Sequence, residues 1–136
     1  MQRQILGEGM SDLRQKPKKI KYNGTEYEIL FTIEVMDKIE DTMGLTSNDV
    51  IEILKNPRKD RETRNKFLRL GETLINIDAE KKNLPRVTDG ELANVLTNAS
   101  MLDLLKVVVD TAQESFFVRQ DDDDEEGDPN QNRATQ

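Results

Sequence analysis

The sequence predicts an α+β, mainly α fold, in which a two-stranded β-hairpin precedes a small bundle of about four to five helices. Three observations predict it. Apolar residues first alternate around an Asn-Gly pair, then recur every three or four residues, and helix-capping patterns divide the rest of the chain. The length of 136 residues favours a single domain with one modest core.

The hairpin is predicted over residues 19–31. A period near two is typical of a half-buried strand. The apolar members of this alternation are Ile20, Tyr22, Tyr27, Ile29 and Phe31. Asn23 and Gly24 lie between the two runs, and both tolerate the positive φ that a type I′ turn requires. The sequence therefore predicts two short antiparallel strands joined by a two-residue turn.

Two helices are predicted after the hairpin. In the first, apolar residues occupy one face, with Thr32 as its N-cap and Gly44 as its left-handed end. Those apolar residues are Val35, Met36, Ile39 and Met43. Residues 46–49 have the spacing of a capping box and open the second, whose end is predicted at Asn56 and Pro57. Its inward residues are predicted to be Val50, Ile51, Ile53 and Leu54.

A longer helix is predicted from about Asp60 to Lys81, with Pro85 breaking the chain afterwards. Its inward face is predicted to hold Phe67, Leu70, Gly71, Leu74 and either Ile77 or Asp78, with Leu68 and Ile75 beside it. Residues 88–91 have the pattern of a second capping box, and residues 100–103 that of a third.

The third box is predicted to open the most apolar helix, residues 101–118. One face carries Met101, Leu104, Leu105, Val108, Ala112 and Phe116. Further apolar residues extend this face more than halfway round the helix. Such a helix is expected either to be central to the fold or to be covered by a partner.

Charge divides the chain into three segments. The whole chain has a net charge of −7, while residues 119–136 hold seven acids against Arg119 and Arg133, a net of −5. Polar and acidic residues cannot bury enough apolar surface to offset their ordering entropy. We therefore expect a flexible segment over residues 1–16, one globular domain over 17–118 and a disordered acidic tail over 119–136. Gly7-Glu8-Gly9 before Met10 also raises the prospect of a native start at Met10.

The composition excludes most reactive chemistry. The chain has no cysteine and no histidine, so disulfides, thiolate nucleophiles, imidazole bases and the usual zinc ligands are absent. Asp37 and Asp41 are interpreted as the exposed face of a helix. Residues 122–127 resemble the opening of a calcium loop, but its twelfth position is Arg133. We expect no enzyme activity, cofactor or metal, and no membrane segment, since no apolar run approaches roughly 18 residues.

Two surfaces are candidates for partner binding. Residues 55–69 hold seven basic residues against two acids, and Arg58, Arg61, Arg64 and Arg69 are the predicted contacts. Nucleic acid is not the expected ligand, because the chain is acidic and has few aromatic residues. A solvated helix face, or a face covered transiently by the acidic tail, explains the same charges. The second surface is apolar, and its predicted residues are Leu102, Val107, Val109, Phe116 and Phe117.

The hairpin and the helix after it carry a family resemblance. The residues that match are Ile20, Tyr22, Asn23, Gly24, Tyr27, Ile29, Phe31, Met36, Ile39 and Gly44. In these residues the chain resembles the tail assembly chaperones of long-tailed, siphovirus-like bacteriophages and prophages. The motif covers only residues 19–45, the architecture residues 18–118. Thr25 stands where the family often has a lysine.

The resemblance implies a non-enzymatic protein of the bacterial host cytoplasm that is absent from the mature virion. Its partners would be the tape-measure protein, which it holds, and the tail-tube protein, to which it delivers the tape measure. Family members often exist in short and frameshifted longer forms, and a polar tail would mark the short form. The alternatives are a structural head-tail or tail-completion protein of the particle and a small nucleic-acid-binding adaptor. Self-association is left open.

Overall fold

The computed structural model describes residues 15–116 and has a β-hairpin followed by five helices. The elements are β1 (Lys18–Tyr22), β2 (Thr25–Ile29), α1 (Ile33–Met43), α2 (Ser47–Lys55), α3 (Arg61–Lys82), α4 (Glu91–Val95) and α5 (Asn98–Phe116). The predicted α+β, mainly α fold is confirmed. Met10, Phe117, the calcium-loop-like pattern and the predicted acidic tail lie outside the described residues.

The hairpin forms at the predicted turn. Asn23 has a φ of 50° and Gly24 a φ of 81°, so both adopt the left-handed conformation that a type I′ turn requires. This turn sets the register, which pairs Tyr22 with Thr25 and Ile20 with Tyr27. One face of the hairpin therefore carries its apolar side chains toward the helices.

The first three helices begin where the sequence predicts, and α1 also ends there. The Thr32 hydroxyl accepts a hydrogen bond from the Val35 amide at 3.2 Å, and Gly44 ends α1 with a φ of 71°. Thr46 and Asp49 form the reciprocal bonds of a capping box at the start of α2. Asp60 caps α3 by accepting from the Thr63 amide at 2.8 Å.

The two later capping boxes differ from the prediction. The predicted start of α5 at Ser100 is wrong, because the helix begins at Asn98 and the Thr97 hydroxyl accepts from the Ser100 amide at 3.1 Å. Thr97 lies three residues before Ser100, and its hydroxyl takes the capping role predicted for Ser100. Only one of the two bonds of the capping box at residues 88–91 forms. Glu91 accepts from the Thr88 amide at 3.0 Å, but no side chain of α4 caps this short helix.

The centre of the fold is α3, which contacts β2, α1, α2 and α4. Its buried residues include Phe67, Leu70 and Leu74. Gly71 brings α5 close, since a Cβ at this position would lie 3.0 Å from Leu104 Cδ2. Of the two alternatives for the most apolar helix, the central position is not the one found: α5 packs beside the hairpin.

The end of α5 lies beside the start of α1. The Phe31 and Phe116 rings are 5.2 Å apart between centroids, in a tilted arrangement. The Ser115 hydroxyl donates to the Phe31 carbonyl at 2.6 Å. Gln15, in the segment expected to be flexible, accepts from the Phe31 amide at 2.7 Å and donates to the Thr111 carbonyl at 2.9 Å. These bonds tie residues 15, 31 and the last turn of α5 into one cluster.

Within the described residues, no helix is both long enough and apolar enough to cross a membrane.

Candidate partner-binding groove

An open groove of about 850 Å³ lies between the end of α1 and the first half of α3. Its lining residues are Thr42, Met43, Leu45, Arg61, Glu62, Asn65, Lys66 and Arg69. A volume of this size is within the range of ligand sites in proteins, which is roughly 300–1,000 Å³.

The local sequence explains how the groove is formed. Gly44 reverses the chain at the end of α1, and the capping box that follows fixes the start of α2. Leu45 lies in this short connection and packs, partly buried, against the core with Met43. On α3, residues 61, 65 and 69 recur every four positions, so their side chains share one face. The groove thus has an apolar floor from one side and a charged wall from the other.

The charged wall is mainly positive. Its lining holds three cations, Arg61, Lys66 and Arg69, against the single carboxylate of Glu62. Lys66 pairs with Glu62 at 3.5 Å, and Arg69 Nε lies 3.8 Å from a Glu72 oxygen. Arg61 makes no ion pair with any residue that the structure describes. A net positive charge beside an apolar floor suits an acidic ligand with apolar side chains.

A second, shallower groove of about 380 Å³ shares Leu45 and Lys66 with the first. It also has lysines at Lys55 and Lys59 in its lining, but two carboxylates, Asp49 and Glu52, accompany them. Hydrogen bonds from Thr46 are the main cause that lowers the pKa of Asp49, and the charge of Lys66 adds to it. The first groove therefore has the larger net positive charge, with one carboxylate in its lining where the second has two.

The groove contains two of the four predicted arginines. Arg61 and Arg69 line it, whereas Arg58 and Arg64 are exposed and do not. Arg58 precedes α3. Arg64 is three residues from Arg61, so at about 100° per residue it lies about 60° from Arg61 on the side away from Arg69, and about 140° from Arg69. This division gives two matched pairs of arginines, one in the groove and one outside it.

The predicted apolar surface on α5 is divided. Leu102 is 41% exposed. Val109 lies on the same flank, because seven residues make nearly two turns. Val107 is about 140° away from Leu102 around the helix and packs against the core, as Phe116 does. Phe116 lies within about 40° of Leu102 around the helix, so Val107 is the one of these four that is set apart, and Phe117 lies outside the described residues.

Two buried carboxylates on α3 have structural partners. Glu72 is 3% exposed and accepts hydrogen bonds from the amides of Gly90 at 3.1 Å and Leu92 at 3.0 Å. Asp78 accepts from the Glu28 amide at 2.9 Å and pairs with Lys82 at 3.1 Å. These bonds use both carboxylates to hold other segments against α3.

The connection between α3 and α4 is held by further polar side chains. Asn76 on α3 donates to the Val87 carbonyl and accepts from the Val87 amide, both at 2.7 Å. The Tyr22 hydroxyl donates to Glu91 at 2.5 Å. Burial, followed by this bond, raises the pKa of Tyr22 to about 12, and the same bond is the main cause that lowers the pKa of Glu91. The hydrogen bonds of Asn76, Tyr22 and Glu91 thus hold the connection between α3 and α4 in place.

Sequence reasoning missed Leu45 and Glu72. Leu45 directly precedes the Thr46 cap, and an apolar residue there often packs on the helix that follows. Glu72 lies four residues after Leu68 and three before Ile75, both of which are buried. The spacing in each case is visible in the sequence, but the partner of Glu72 is about 20 residues away along the chain and could not be inferred.

The groove has the chemistry of non-covalent binding. In the part of the chain that the structure describes, no three His, Cys, Asp or Glu residues are grouped as a metal site would require. The groove offers guanidinium and ammonium donors together with thioether and aliphatic surface. Such a set recognises carboxylates and apolar side chains presented together.

Comparison with family models, with curated proteins and with solved structures finds no match to this chain.

Proposed function

We propose that the chain is a non-enzymatic tail assembly chaperone of a long-tailed bacteriophage. It binds the tape-measure protein in the host cytoplasm, delivers it to the tail-tube protein and does not enter the mature virion. The order of a hairpin with an Asn-Gly turn followed by helices, which the resemblance implies, supports this function. The observation that carries the proposal is the cationic groove with an apolar floor.

The groove suits one face of an amphipathic helix. Met43 and Leu45 would contact its apolar stripe, while Arg61 and Arg69 would pair with carboxylates at its edge. A tape measure is expected to be long and helical, so it presents such stripes repeatedly. The chaperone covers them until the tube assembles.

The size of the groove favours a reversible contact. A volume of about 850 Å³ accommodates a few side chains rather than a whole helix. Contacts that bury little surface are typical of weak, transient interfaces. A chaperone that must release its partner requires this property.

The test is co-expression of the full chain with the tape-measure protein of its own phage. We expect the two to co-purify, and the soluble fraction of the tape measure to rise. Arg61→Gln with Arg69→Gln should weaken the complex. The matched control, Arg58→Gln with Arg64→Gln, removes the same charge outside the groove and should leave the complex intact.

Two results would contradict this function and favour an alternative. Stoichiometric amounts of the chain in purified virions would identify a structural head-tail or tail-completion protein. Binding to duplex DNA that weakens steeply as salt rises would identify a nucleic-acid-binding adaptor.

A further inference from the structure

The most acidic stretch of the chain begins a few residues after α5. Residues 121–126 are six consecutive acids, Asp-Asp-Asp-Asp-Glu-Glu, and are the longest run of one charge in the sequence. The groove beside α3 has three cations and one carboxylate in its lining. The two segments therefore have complementary charge.

The described end of α5 lies near enough to the groove for the residues that follow to reach it. Phe116 packs against Phe31, which lies just before the Thr32 cap of α1, and the groove lies at the other end of that helix. At 1.5 Å per residue, the 11 residues of α1 span about 16 Å. Asp121 is five positions after Phe116 and Glu126 is ten positions after it, and in extended form these steps span up to about 17 and 34 Å. The acidic run covers the required distance.

We propose that residues 121–126 occupy the groove of the same chain, where their carboxylates contact Arg61, Lys66 and Arg69. The contact itself needs no partner. Its consequence, competition with an acidic amphipathic partner for the groove, rests on the proposed function. The chain thus carries its own competitor, which keeps the groove covered until a partner with apolar side chains replaces it.

The contact is expected to be dynamic. Exposed ion pairs are individually weak, and salt screens them within a Debye length of about 10 Å at 0.1 M. Tethering compensates for this, because it gives the tail a high effective concentration at the groove. If the tail occupies the groove for roughly 70–90% of the time at low salt, the apparent affinity for a competing ligand falls about 3- to 10-fold.

The test compares full-length chains by NMR at about 20 mM and about 500 mM salt. One variant replaces the six acids of residues 121–126 with Asn and Gln. We expect its amide shifts to differ from those of the wild type at Met43, Leu45 and Asn65 at low salt, and the difference to vanish at high salt. Identical shifts at low salt would overturn the proposal.

The arginine pairs supply a second measurement. The comparison of the wild-type tail with the neutral tail is repeated in chains that also carry Arg61→Gln and Arg69→Gln. Most of the shift difference between the two tails should then be lost, because the groove lacks its guanidinium groups. In chains that carry Arg58→Gln and Arg64→Gln, the shift difference between the two tails should be preserved. A shift difference that disappears in both, or in neither, would overturn the assignment to the groove. One that grows with protein concentration would assign the contact to a second copy and overturn the intrachain contact.

Competition is measured with a fluorescent peptide of residues 119–128 as the probe. It should bind the neutral-tail chain about 3- to 10-fold more tightly than the wild type at low salt. Equal affinity would show that the tail does not cover the groove. If the tail contact is present but the tape measure fails to co-purify, the proposed function is rejected and the tail contact stands.

Discussion

Replacing Glu72 with glutamine should strongly destabilise the fold. Glutamine keeps the size and shape of the side chain, so the substitution changes only charge and hydrogen bonding. Glu72 is 3% exposed and uses its two oxygens for the amides of Gly90 and Leu92. A glutamine has one oxygen, and its amide nitrogen would face the other backbone N–H.

The magnitude follows from these two bonds. A buried N–H left without an acceptor costs about 1–3 kcal/mol, and the remaining bond loses the additional strength that a charged acceptor gives, about 1 kcal/mol. The free energy of unfolding should therefore fall by about 2–4 kcal/mol. For a domain of roughly 100 residues, each kcal/mol lowers Tm by about 4–8 °C, so Tm should fall by about 10 °C or more.

The assay is thermal unfolding followed by circular dichroism, together with urea unfolding to compare midpoints at constant slope. Glu62→Gln is the matched control. It lies on the same helix, but its ion pair with Lys66 is exposed, so its effect should stay within about 0.5 kcal/mol. Hydrogen exchange at the Gly90 and Leu92 amides should also accelerate in Glu72→Gln alone. Equal stability of the two variants would refute the role assigned to Glu72.

Three further predictions concern the hairpin. Phe31→Ala removes a buried aromatic ring that packs on Phe116, and should cost about 3 kcal/mol or more in urea unfolding; a loss below about 1 kcal/mol would contradict its place in the core. Gly24→Val forces a β-branched residue to a φ of 81° and should cost at least about 1–2 kcal/mol, whereas Gly24→Asn should be tolerated; equal melting of the two would contradict the turn. The pKa of Tyr22 is about 12 in the fold against 10.0 for the free side chain, so between these values the unfolded chain loses the proton first and stability should fall as pH rises. Tyr22→Phe should reduce this slope in urea unfolding across the range; an unchanged slope would show that the fold does not raise the pKa of Tyr22.

Part of the candidate site was predictable from the sequence. The basic segment was evident from composition, because seven cations within 15 residues exceed what chance distributes. Which of them act together was not evident. Arg61 and Arg69 share a face through helical spacing, but only the packing of α1 against α3 gives that face a groove and an apolar floor.

The sequence by itself determined the local elements of the first half of the chain. The Asn-Gly turn, the Thr32 cap, the Gly44 stop and the capping box at residues 46–49 all formed as predicted. Each depends on residues within about four positions of one another, whose φ preferences and hydrogen bonds are properties of the short segment itself. Such signals need no knowledge of the rest of the fold.

Only the tertiary structure decided which helix is central and where the buried carboxylates bond. The most apolar helix, α5, lies beside the hairpin, while the more charged α3 is surrounded by other elements. Glu72 is buried because the Gly90 and Leu92 amides satisfy it, and Asp78 because Glu28 and Lys82 do. A carboxylate can be buried only where such donors converge on it. Those donors come from distant parts of the chain, so their convergence is a property of the packed fold and not of any local pattern.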